Sequence, residues 1–250
     1  MKIRYMSDLH LEFIRPEQIE QFLFRIPLGL DEVCVLAGDI GNPFKSNYNI
    51  FMQFIDTNFK KAFVIPGNHE YYNDTHTIEE INTYLDNYFE KFQNISFLNN
   101  TVEKYEDFLF IGTTLWSKVT NPLFKINDVD KICELDYISY NRMNMICIDF
   151  LEEILDYPSI QKCIVITHHV PSPNLIDVKY KTQHMRPYNQ WFACDLEHII
   201  DKHKYKIKGW FYGHTHTPSV ETISGVPFLC NPIGYPNENP SVDFNKVVVL

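Results

Sequence analysis

Short, continuous apolar runs recur along the chain, and each one ends in a polar turn. Val33–Ala37, Ala62–Ile65 and Cys163–Thr167 are apolar at almost every position. Strands of a parallel sheet are covered on both faces and carry this continuous pattern, whereas a strand with one wet face alternates. The segments between the runs have apolar residues at helical spacing instead. This alternation predicts an α/β fold with buried strands.

The helical periodicity is clearest in five segments. We predict helices over 17–25, 48–59, 77–92, 143–155 and 191–203. Asp74 or Thr75 is a possible N-cap for the third of these helices. Shorter strands are predicted over 2–7, 95–98, 101–105, 108–112, 209–212, 220–223, 227–230 and 246–250. The 250 residues contain no internal repeat and no linker-like tract, so we expect one domain over 1–250.

Composition narrows the class of protein. The net charge of -10 argues against an extended surface for duplex nucleic acid, although a bound metal can still attract a small phosphorylated substrate. No run of about 18 apolar residues is present, so we expect no membrane span. The six cysteines form no Cys-x-x-Cys pair, and the first residues enter a strand pattern directly, without a signal-peptide pattern. These features predict a reduced, cytoplasmic protein, and nothing in the sequence specifies an oligomeric state.

Polar side chains with oxygen or nitrogen donor atoms follow the ends of five predicted strands. In an open α/β sheet the carboxyl ends of the strands meet at one edge, where ligands bind. Carboxylate, amide and imidazole groups together suit divalent transition metals. Taken singly, each aspartate is a plausible helix cap or turn former, and each histidine a plausible polar loop residue. The set consists of Asp8, His10, Asp39, Asn68, His69, His168, His214 and His216.

The order of these motifs resembles that of the calcineurin-like metallophosphoesterase superfamily. The motifs are Asp-x-His from Asp8, Gly38-Asp39, Gly-Asn-His-Glu from Gly67, a strand-terminal His168, and Gly-His-x-His from Gly213. They extend over most of the chain. The resemblance implies two mixed β-sheets packed as a sandwich flanked by helices, with two divalent metal ions at one edge.

The resemblance also implies a role for each residue. Asp39 would bridge the two metals, and His69 would stand outside them, near the leaving group. Glu70 follows His69, and a role for it beyond orienting a neighbour is not apparent. One metal would be held by Asp8, His10, Asp39 and His216, and the other by Asp39, Asn68, His168 and His214. These ligand types accept Mn, Fe, Ni or Zn, with manganese among the expected metals.

The implied chemistry is phosphoester hydrolysis. Paired metals lower the pKa of a bridging water and hold both sides of an in-line displacement. On this hypothesis a metal-bridging hydroxide attacks phosphorus, and a protonated His69 donates to the departing oxygen.

Departures from other branches favour a phosphodiesterase. The Ser/Thr protein phosphatases place an Arg before Gly-Asn-His-Glu, where this chain has Pro66. Purple acid phosphatases carry a Tyr three residues after the aspartate, where this chain has Asn42, and the lipid-A-precursor hydrolases have an Arg in place of His69. The small bacterial and phage-type phosphoesterases remain, many of which cleave diesters, including cyclic nucleotides. The alternatives are a phosphomonoesterase or nuclease of the same superfamily, or a non-catalytic binding scaffold.

The loop over 171–189 is the candidate for substrate specificity. Lys179, Lys181 and Arg186 give it local positive charge that would suit a second phosphate or a nucleotide. A solvated surface loop is the alternative interpretation. His169 either approaches substrate or packs behind the ligands. Tyrosines at 71, 72 and 188 are possible stacking partners for a base.

Overall fold

We describe the protein from a computed structural model, which covers residues 1–240 and 242–250. The strands of these residues form a five-stranded and a six-stranded sheet. They are β1 Lys2–Met6, β2 Gly29–Ala37, β3 Phe59–Ile65, β4 Ile95–Phe97, β5 Thr101–Tyr105, β6 Phe108–Thr113, β7 Cys163–Thr167, β8 Ile207–Tyr212, β9 Ser219–Ile223, β10 Val226–Cys230 and β11 Val247–Val249. The α-helices are α1 Ile19–Leu23, α2 Ser46–Asn58, α3 Ile78–Phe89, α4 Asn127–Lys131, α5 Tyr137–Asp156 and α6 Glu197–His203.

Both sheets are mixed. The first has the order β11-β1-β2-β3-β4, with β11 antiparallel and the other neighbours parallel. The second has the order β5-β6-β7-β8-β10-β9, with antiparallel pairs at its two edges. Two mixed sheets with flanking helices confirm the predicted α/β sandwich.

Alternate residues of the central strands fill the space between the sheets. Val35 and Phe63 of the first sheet face Phe110 and Ile164 of the second in one buried cluster. The Phe63 and Phe110 rings stack with centroids 3.8 Å apart. The intervening positions, such as Leu36, pack in a separate cluster with the helices. Because both strand faces are covered, the strands need the continuous apolar runs seen in the sequence.

Several predicted boundaries differ from the structure. Neither Asp74 nor Thr75 caps α3; Thr77 does, through a reciprocal capping box with Glu80. The helix expected at Met143 begins at Tyr137, after the N-cap Asp136. This first part of α5 has a largely exposed face and therefore lacked a clear apolar period. The short α4 was not predicted.

A second helix prediction, the one over 191–203, is wrong in its first part. The α-helix expected over 191–203 is confined to α6, and Arg186–Trp191 forms a 3-10 helix. Pro187, near the start of that 3-10 helix, lacks a backbone N–H, which suits a first turn. The loop before it contains two further short 3-10 segments, Pro173–Leu175 and Val178–Tyr180.

Two other features bear on the sequence analysis. All six cysteines are free thiols. Within residues 1–240 and 242–250, no helix combines the length and the apolar character that a bilayer crossing requires.

Candidate metal centre

The polar residues that follow five strands meet at one edge of the sandwich. β1 leads to Asp8, β2 to Asp39 and β7 to His168. Backbone hydrogen bonds link these strand ends: Asp8 N donates to Gly38 O at 3.0 Å, and Gly213 N donates to His168 O at 3.0 Å. A further bond joins the two sheets, since His214 N donates to Asp8 Oδ1 at 3.0 Å, and both sheets therefore contribute residues to one edge.

Five of the candidate ligands have a left-handed backbone conformation. Positive φ is uncommon for residues other than glycine and costs of order 1–3 kcal/mol where it persists. Such strain is maintained when the surrounding structure fixes it, and it concentrates at functional sites. The φ values are 53° for Asp8, 49° for His10, 53° for Asp39, 74° for His214 and 49° for His216.

Two glycines make room for the ligands. A Cβ at Gly67 would clash with Asp39 Oδ1 and with the Asp39 backbone nitrogen. A Cβ at Gly38, where φ is +83°, would lie 2.6 Å from His168 Nδ1. The Gly-Asp and Gly-Asn pairs of the motifs are therefore required by close approach of backbone and ligand, in addition to the turn itself.

One cluster of ligand atoms joins Asp8, His10 and His216. The Nε2 atoms of the two histidines lie 2.9 Å apart, and Asp8 Oδ1 lies 3.4 Å from His216 Nε2. The opposite ring nitrogens face carboxylates, since His10 Nδ1 is 3.4 Å from Glu12 and His216 Nδ1 is 2.6 Å from Glu238. A carboxylate beside Nδ1 holds the proton there, which leaves both Nε2 lone pairs aimed at the same point.

A second cluster is centred on His168. Its Nε2 lies 3.0 Å from Asn68 Oδ1, 3.1 Å from His214 Nδ1 and 3.4 Å from Asp39 Oδ1. Its Nδ1 lies 2.9 Å from the Ala37 carbonyl oxygen and must donate to it. In the neutral ring the lone pair is therefore on Nε2, which faces two oxygen acceptors and another ring nitrogen. Such a convergence of acceptors is what a cation requires.

Asp39 lies between the clusters. Its Oδ2 is 3.9 Å from His10 Nε2, while its Oδ1 is 3.4 Å from His168 Nε2. Asp8, His10 and His216, and separately Asp39, His168 and His214, each form a group whose ligand atoms are mutually within 4.8 Å. The nitrogen and oxygen donors, their burial and their shared lone-pair orientation fit divalent transition metals.

The electrostatics of the ligands follow from their burial beside one another. Burial alone would raise the pKa of Asp39, but His168 and His69 hold it well below its usual range. Burial would lower the pKa of His168, yet Asp39 raises it to about 10. Burial would also lower the pKa of His216, but Asp8 and Glu238 together raise it to about 9. In contrast, burial and neighbouring histidines hold the pKa of His214 well below its usual range. The two carboxylates thus favour positive charge at this edge.

His69 stands beside both clusters rather than within them. Its Nδ1 lies 2.8 Å from Glu12 Oε1, and its ring stacks on Tyr72 with centroids 4.1 Å apart. Its Nε2 faces Tyr235 OH at 3.3 Å and Asp39 Oδ2 at 4.0 Å. Burial would lower the pKa of His69, but Asp39 and Glu12 raise it. The imidazole is therefore held in one orientation, with Nε2 towards the ligands.

Glu70 has a structural role that its sequence position did not reveal. Its buried carboxylate accepts four backbone N–H groups, at 2.7 Å from Gly67, 3.0 Å from Asp39, 2.7 Å from Ile40 and 3.2 Å from Gly41. These donors lie in the turns that follow β2 and β3. Glu70 therefore holds the turn that carries Asp39 against the turn that carries Asn68.

Asp128 of α4 orients the amide of Asn68. Its Oδ1 accepts hydrogen bonds from Asn68 Nδ2 at 2.8 Å and from Tyr72 OH at 2.6 Å. With Nδ2 engaged in this way, the Oδ1 of Asn68 is turned towards His168. Burial raises the pKa of Asp128 to about 6, against the lowering effect of these hydrogen bonds.

His169 lies behind the ligands. It is fully buried, its Nδ1 donates to the Thr114 carbonyl oxygen at 3.3 Å, and its Nε2 accepts from Tyr140 OH at 3.2 Å. Its ring packs on His214, with centroids 4.1 Å apart. Burial and the nearby His168 lower its pKa to about 3. These contacts match the interpretation of His169 as a residue that supports a ligand.

A cavity of about 390 Å³ opens onto the cluster edge. Ligands and His69 form one side, and the loop over 171–192 forms much of the other. Tyr72 and Tyr188 line it, whereas Tyr71 is buried in the helix-side core. The lining residues are Asp39, Asn68, His69, Tyr72, Lys125, Ile126, Asn127, Asp128, Ile176, Tyr180, Met185, Tyr188, Asn189, Phe192, His214, Thr215, His216, Tyr235 and Glu238.

The three loop cations are placed differently from this lining. None of the three, Lys179, Lys181 and Arg186, is among the described residues that line the cavity. Lys179 Nζ lies 4.8 Å from the centroid of the Tyr180 ring, and Lys181 Nζ donates to the Asn174 carbonyl oxygen at 3.3 Å. Their contact with substrate stays a prediction.

Four residues at the candidate metal centre were not predicted from the sequence. They interact with ligands or with His69 only because distant segments meet. Glu12, which ends the run Asp8-Leu9-His10-Leu11-Glu12, had a usable signal, because it is a third polar residue after the same strand. The other three sit in segments without a motif. The set is Glu12, Asp128, Tyr235 and Glu238.

The fold and the clusters define a class: an α/β sandwich with buried, convergent metal ligands at the strand ends. A sequence model described as calcineurin-like phosphoesterase matches residues 1–218, and the chain belongs to this family. The match includes every candidate ligand and ends two residues after His216. Family membership and the His/Asp clusters together make the protein a metal-dependent phosphoesterase, a hydrolase.

Two relatives extend over nearly the whole chain. Uncharacterized protein L509 of Acanthamoeba polyphaga mimivirus is 35% identical over 266 residues, covering 94% of this chain and 92% of that protein. Phosphopantetheinyl hydrolase from Mycobacterium tuberculosis has a similar structure, with a TM-score of 0.74, 16% identity, and coverage of 95% of this chain and 91% of that one. At this identity the second likeness concerns the fold alone.

Proposed function

We propose that the protein is a binuclear metallophosphodiesterase that acts on a small phosphorylated substrate. The observation that carries the proposal is the pair of ligand clusters joined by Asp39, whose two oxygens face His10 and His168 respectively. One metal would be held by Asp8, His10, Asp39 and His216, and the other by Asp39, Asn68, His168 and His214. Two such ions, when bound, supply Lewis acidity and lower the pKa of a water between them.

The residues around the clusters divide the remaining tasks. Glu12 accepts the Nδ1 proton of His69 and stabilises the protonated ring, so the Nε2–H of that imidazolium is available to protonate a departing alkoxide. Glu70 keeps the Asp39 and Asn68 turns at a constant separation. Such preorganisation matters because small displacements of catalytic groups are costly in rate.

The charge of the cavity supports a diester over a monoester. Apart from the ligands and His69, its charged lining consists of Lys125, Asp128 and Glu238 among the described residues. A monoester dianion would meet these two carboxylates with only one lysine to offset them. A diester carries a single negative charge and meets less repulsion. The confined volume likewise favours a small substrate over a nucleic-acid polymer.

The test is turnover by metal-reconstituted protein on bis(p-nitrophenyl) phosphate and p-nitrophenyl phosphate. The metals to compare are Mn, Fe, Ni and Zn, each added to chelator-stripped protein. We expect a higher kcat/KM on the diester, loss of activity on chelation, and about two metal ions per chain by elemental analysis. Turnover of the monoester alone would reject the diesterase assignment, and inactivity on both compounds with full metal occupancy would favour a binding scaffold.

A further inference from the structure

The cavity has an apolar wall opposite the metal ligands, and the phosphoester chemistry does not use it. We define this wall as Ile126, Ile176, Tyr180, Met185, Tyr188 and Phe192. It is continuous with the ligands, because the Phe192 ring lies 4.8 Å from the His214 ring, centroid to centroid. A substrate with its phosphorus at the ligands would therefore extend one ester substituent along the wall.

Hydrogen bonds hold the wall in place. Gln190 Oε1 accepts from the backbone nitrogens of Thr120 and Asn121, at 2.8 Å each. The indole Nε1 of Trp191 donates to the Phe124 carbonyl oxygen. These bonds join the loop over 171–192 to the segment before α4, which carries Ile126. The two sides of the wall thus form one unit before any ligand arrives.

The ring side chains of the wall are fixed and uncharged. Tyr188 packs edge-on against Phe124, with centroids 5.6 Å apart and planes at 77°. Asn189 Nδ2 donates to the Tyr180 carbonyl oxygen at 3.1 Å, which ties the two tyrosine-bearing turns together. Fixed aromatic faces bind planar rings by stacking at a low cost in side-chain entropy.

The wall has no cationic side chain that would bind a second phosphate. Lys179, which precedes Tyr180, has its Nζ over the Tyr180 ring. Lys181 Nζ donates to Asn174. The acidic side chains Asp128 and Glu238 line the same cavity and outnumber Lys125, the one lysine among its described lining residues. Charge therefore disfavours a polyphosphate chain, while shape and apolar character favour a neutral ring.

We infer that the apolar wall is a subsite for a planar, uncharged ring carried by one ester group of a single-phosphorus substrate. The inference rests on the proposed phosphodiesterase function. A nucleoside base and a simple aryl group share this chemistry. The occupied cavity would then hold one phosphorus at the ligands and one ring between Tyr188 and Phe192.

The experiment compares three diesters with alkyl leaving groups: dimethyl, cyclohexylmethyl methyl and benzyl methyl phosphate. Hydrolysis by metal-loaded protein is followed by phosphorus NMR. The two larger groups match in size and differ in planarity, so a ring subsite lowers KM for the benzyl ester about fivefold relative to the cyclohexylmethyl ester. The thymidine 5′-methyl diester, which carries a base, is expected to share this lower KM.

Tyr188→Ala is expected to remove the benzyl advantage, so that the KM for the benzyl ester rises to that for the cyclohexylmethyl ester. Tyr205→Ala is the matched control, since Tyr205 is 80% exposed and does not line the cavity. Equal KM values for the benzyl and cyclohexylmethyl esters, or a benzyl advantage that survives Tyr188→Ala, would overturn the ring subsite.

Two further outcomes separate the alternatives. Tighter inhibition by thymidine diphosphate than by thymidine monophosphate, lost in Lys125→Ala, would show a second-phosphate site at the lysine that lines the cavity and overturn the inference. Hydrolysis of bis(p-nitrophenyl) phosphate reports on the proposed function by itself. Activity on that diester without ring preference rejects only the subsite, whereas inactivity on it rejects the function on which the subsite depends.

Discussion

Glu12 Oε1 lies 2.8 Å from His69 Nδ1, and the two residues are 57 positions apart in the chain. The contact connects the turn after β1 with the turn after β3. Because a carboxylate accepts the Nδ1 proton, the other ring nitrogen of His69 is directed to the ligand edge. Glu12 therefore acts through His69 as a positioning residue.

Replacing His69 tests its role as proton donor. We expect His69→Asn to lower kcat about 100-fold on a diester with an alkyl leaving group, because that alkoxide needs a proton. On bis(p-nitrophenyl) phosphate, whose leaving group is stable as an anion, the loss should be small. Steady-state kinetics on the two substrates measure the difference. Wild-type turnover of the alkyl ester by this variant would exclude His69 as the donor.

Glu12→Gln should reproduce part of the same pattern. We expect kcat on the alkyl diester to fall about tenfold, because the neutral amide no longer stabilises the protonated imidazole. Measured at saturating metal, so that the second contact of Glu12 with His10 does not affect metal occupancy, the combination with His69→Asn should cause little further loss, since Glu12 and His69 act as a unit. Glu17→Gln, an exposed change nearby in sequence, serves as control. Independent, multiplicative losses in the double variant would contradict the positioning role.

Asp39→Asn tests the bridging ligand. Removing one charge between the clusters should weaken metal retention at least about tenfold, because both ions lose a carboxylate contact. Elemental analysis after dialysis against a graded chelator gives the occupancy of each variant. Full occupancy of two metals in Asp39→Asn at wild-type chelator concentrations would exclude a bridging role.

Asp128→Ala tests the hydrogen bond that orients Asn68. Without the acceptor at 2.8 Å, the Asn68 amide keeps only the longer hydrogen bond to Tyr72 OH at 3.2 Å, and we expect metal affinity to fall about 10-fold to 100-fold. The matched control is Asp130→Ala, an exposed change on the same helix α4. Competitive titration with a metal indicator provides the measurement. Identical affinities in the two variants would show that Asn68 is held without Asp128.

The core between the sheets gives a stability prediction. Phe63→Ala removes one of two stacked, fully buried rings, and we expect it to lower the free energy of unfolding by about 3–5 kcal/mol. Phe24→Ala changes a side chain that is 94% exposed, so its effect should stay within about 0.5 kcal/mol. Urea unfolding followed by fluorescence compares the two, and similar midpoints would contradict the assigned core.

The sequence by itself determined the buried strands and the ligand types at their ends. Runs such as Ala62–Ile65 are local patterns that reflect burial on both faces, and a strand end with a polar turn is local as well. The ordered motifs therefore indicated the family before any distance was known. Helix starts were less well predicted, because a cap such as Thr77 is recognised by a side-chain hydrogen bond with Glu80 rather than by periodicity.

Only the tertiary structure decided how the ligands are supported. Asp128 meets Asn68 across 60 positions, and Tyr235 meets His69 across 166. The loop over 171–192 likewise turns its rings, and not Lys179, towards the cavity. No local pattern encodes such contacts, because they depend on how separate loops pack at the shared edge of two sheets. The positions of the candidate metal ligands are thus set by strand ends, while their orientation and the shape of the cavity are set by packing.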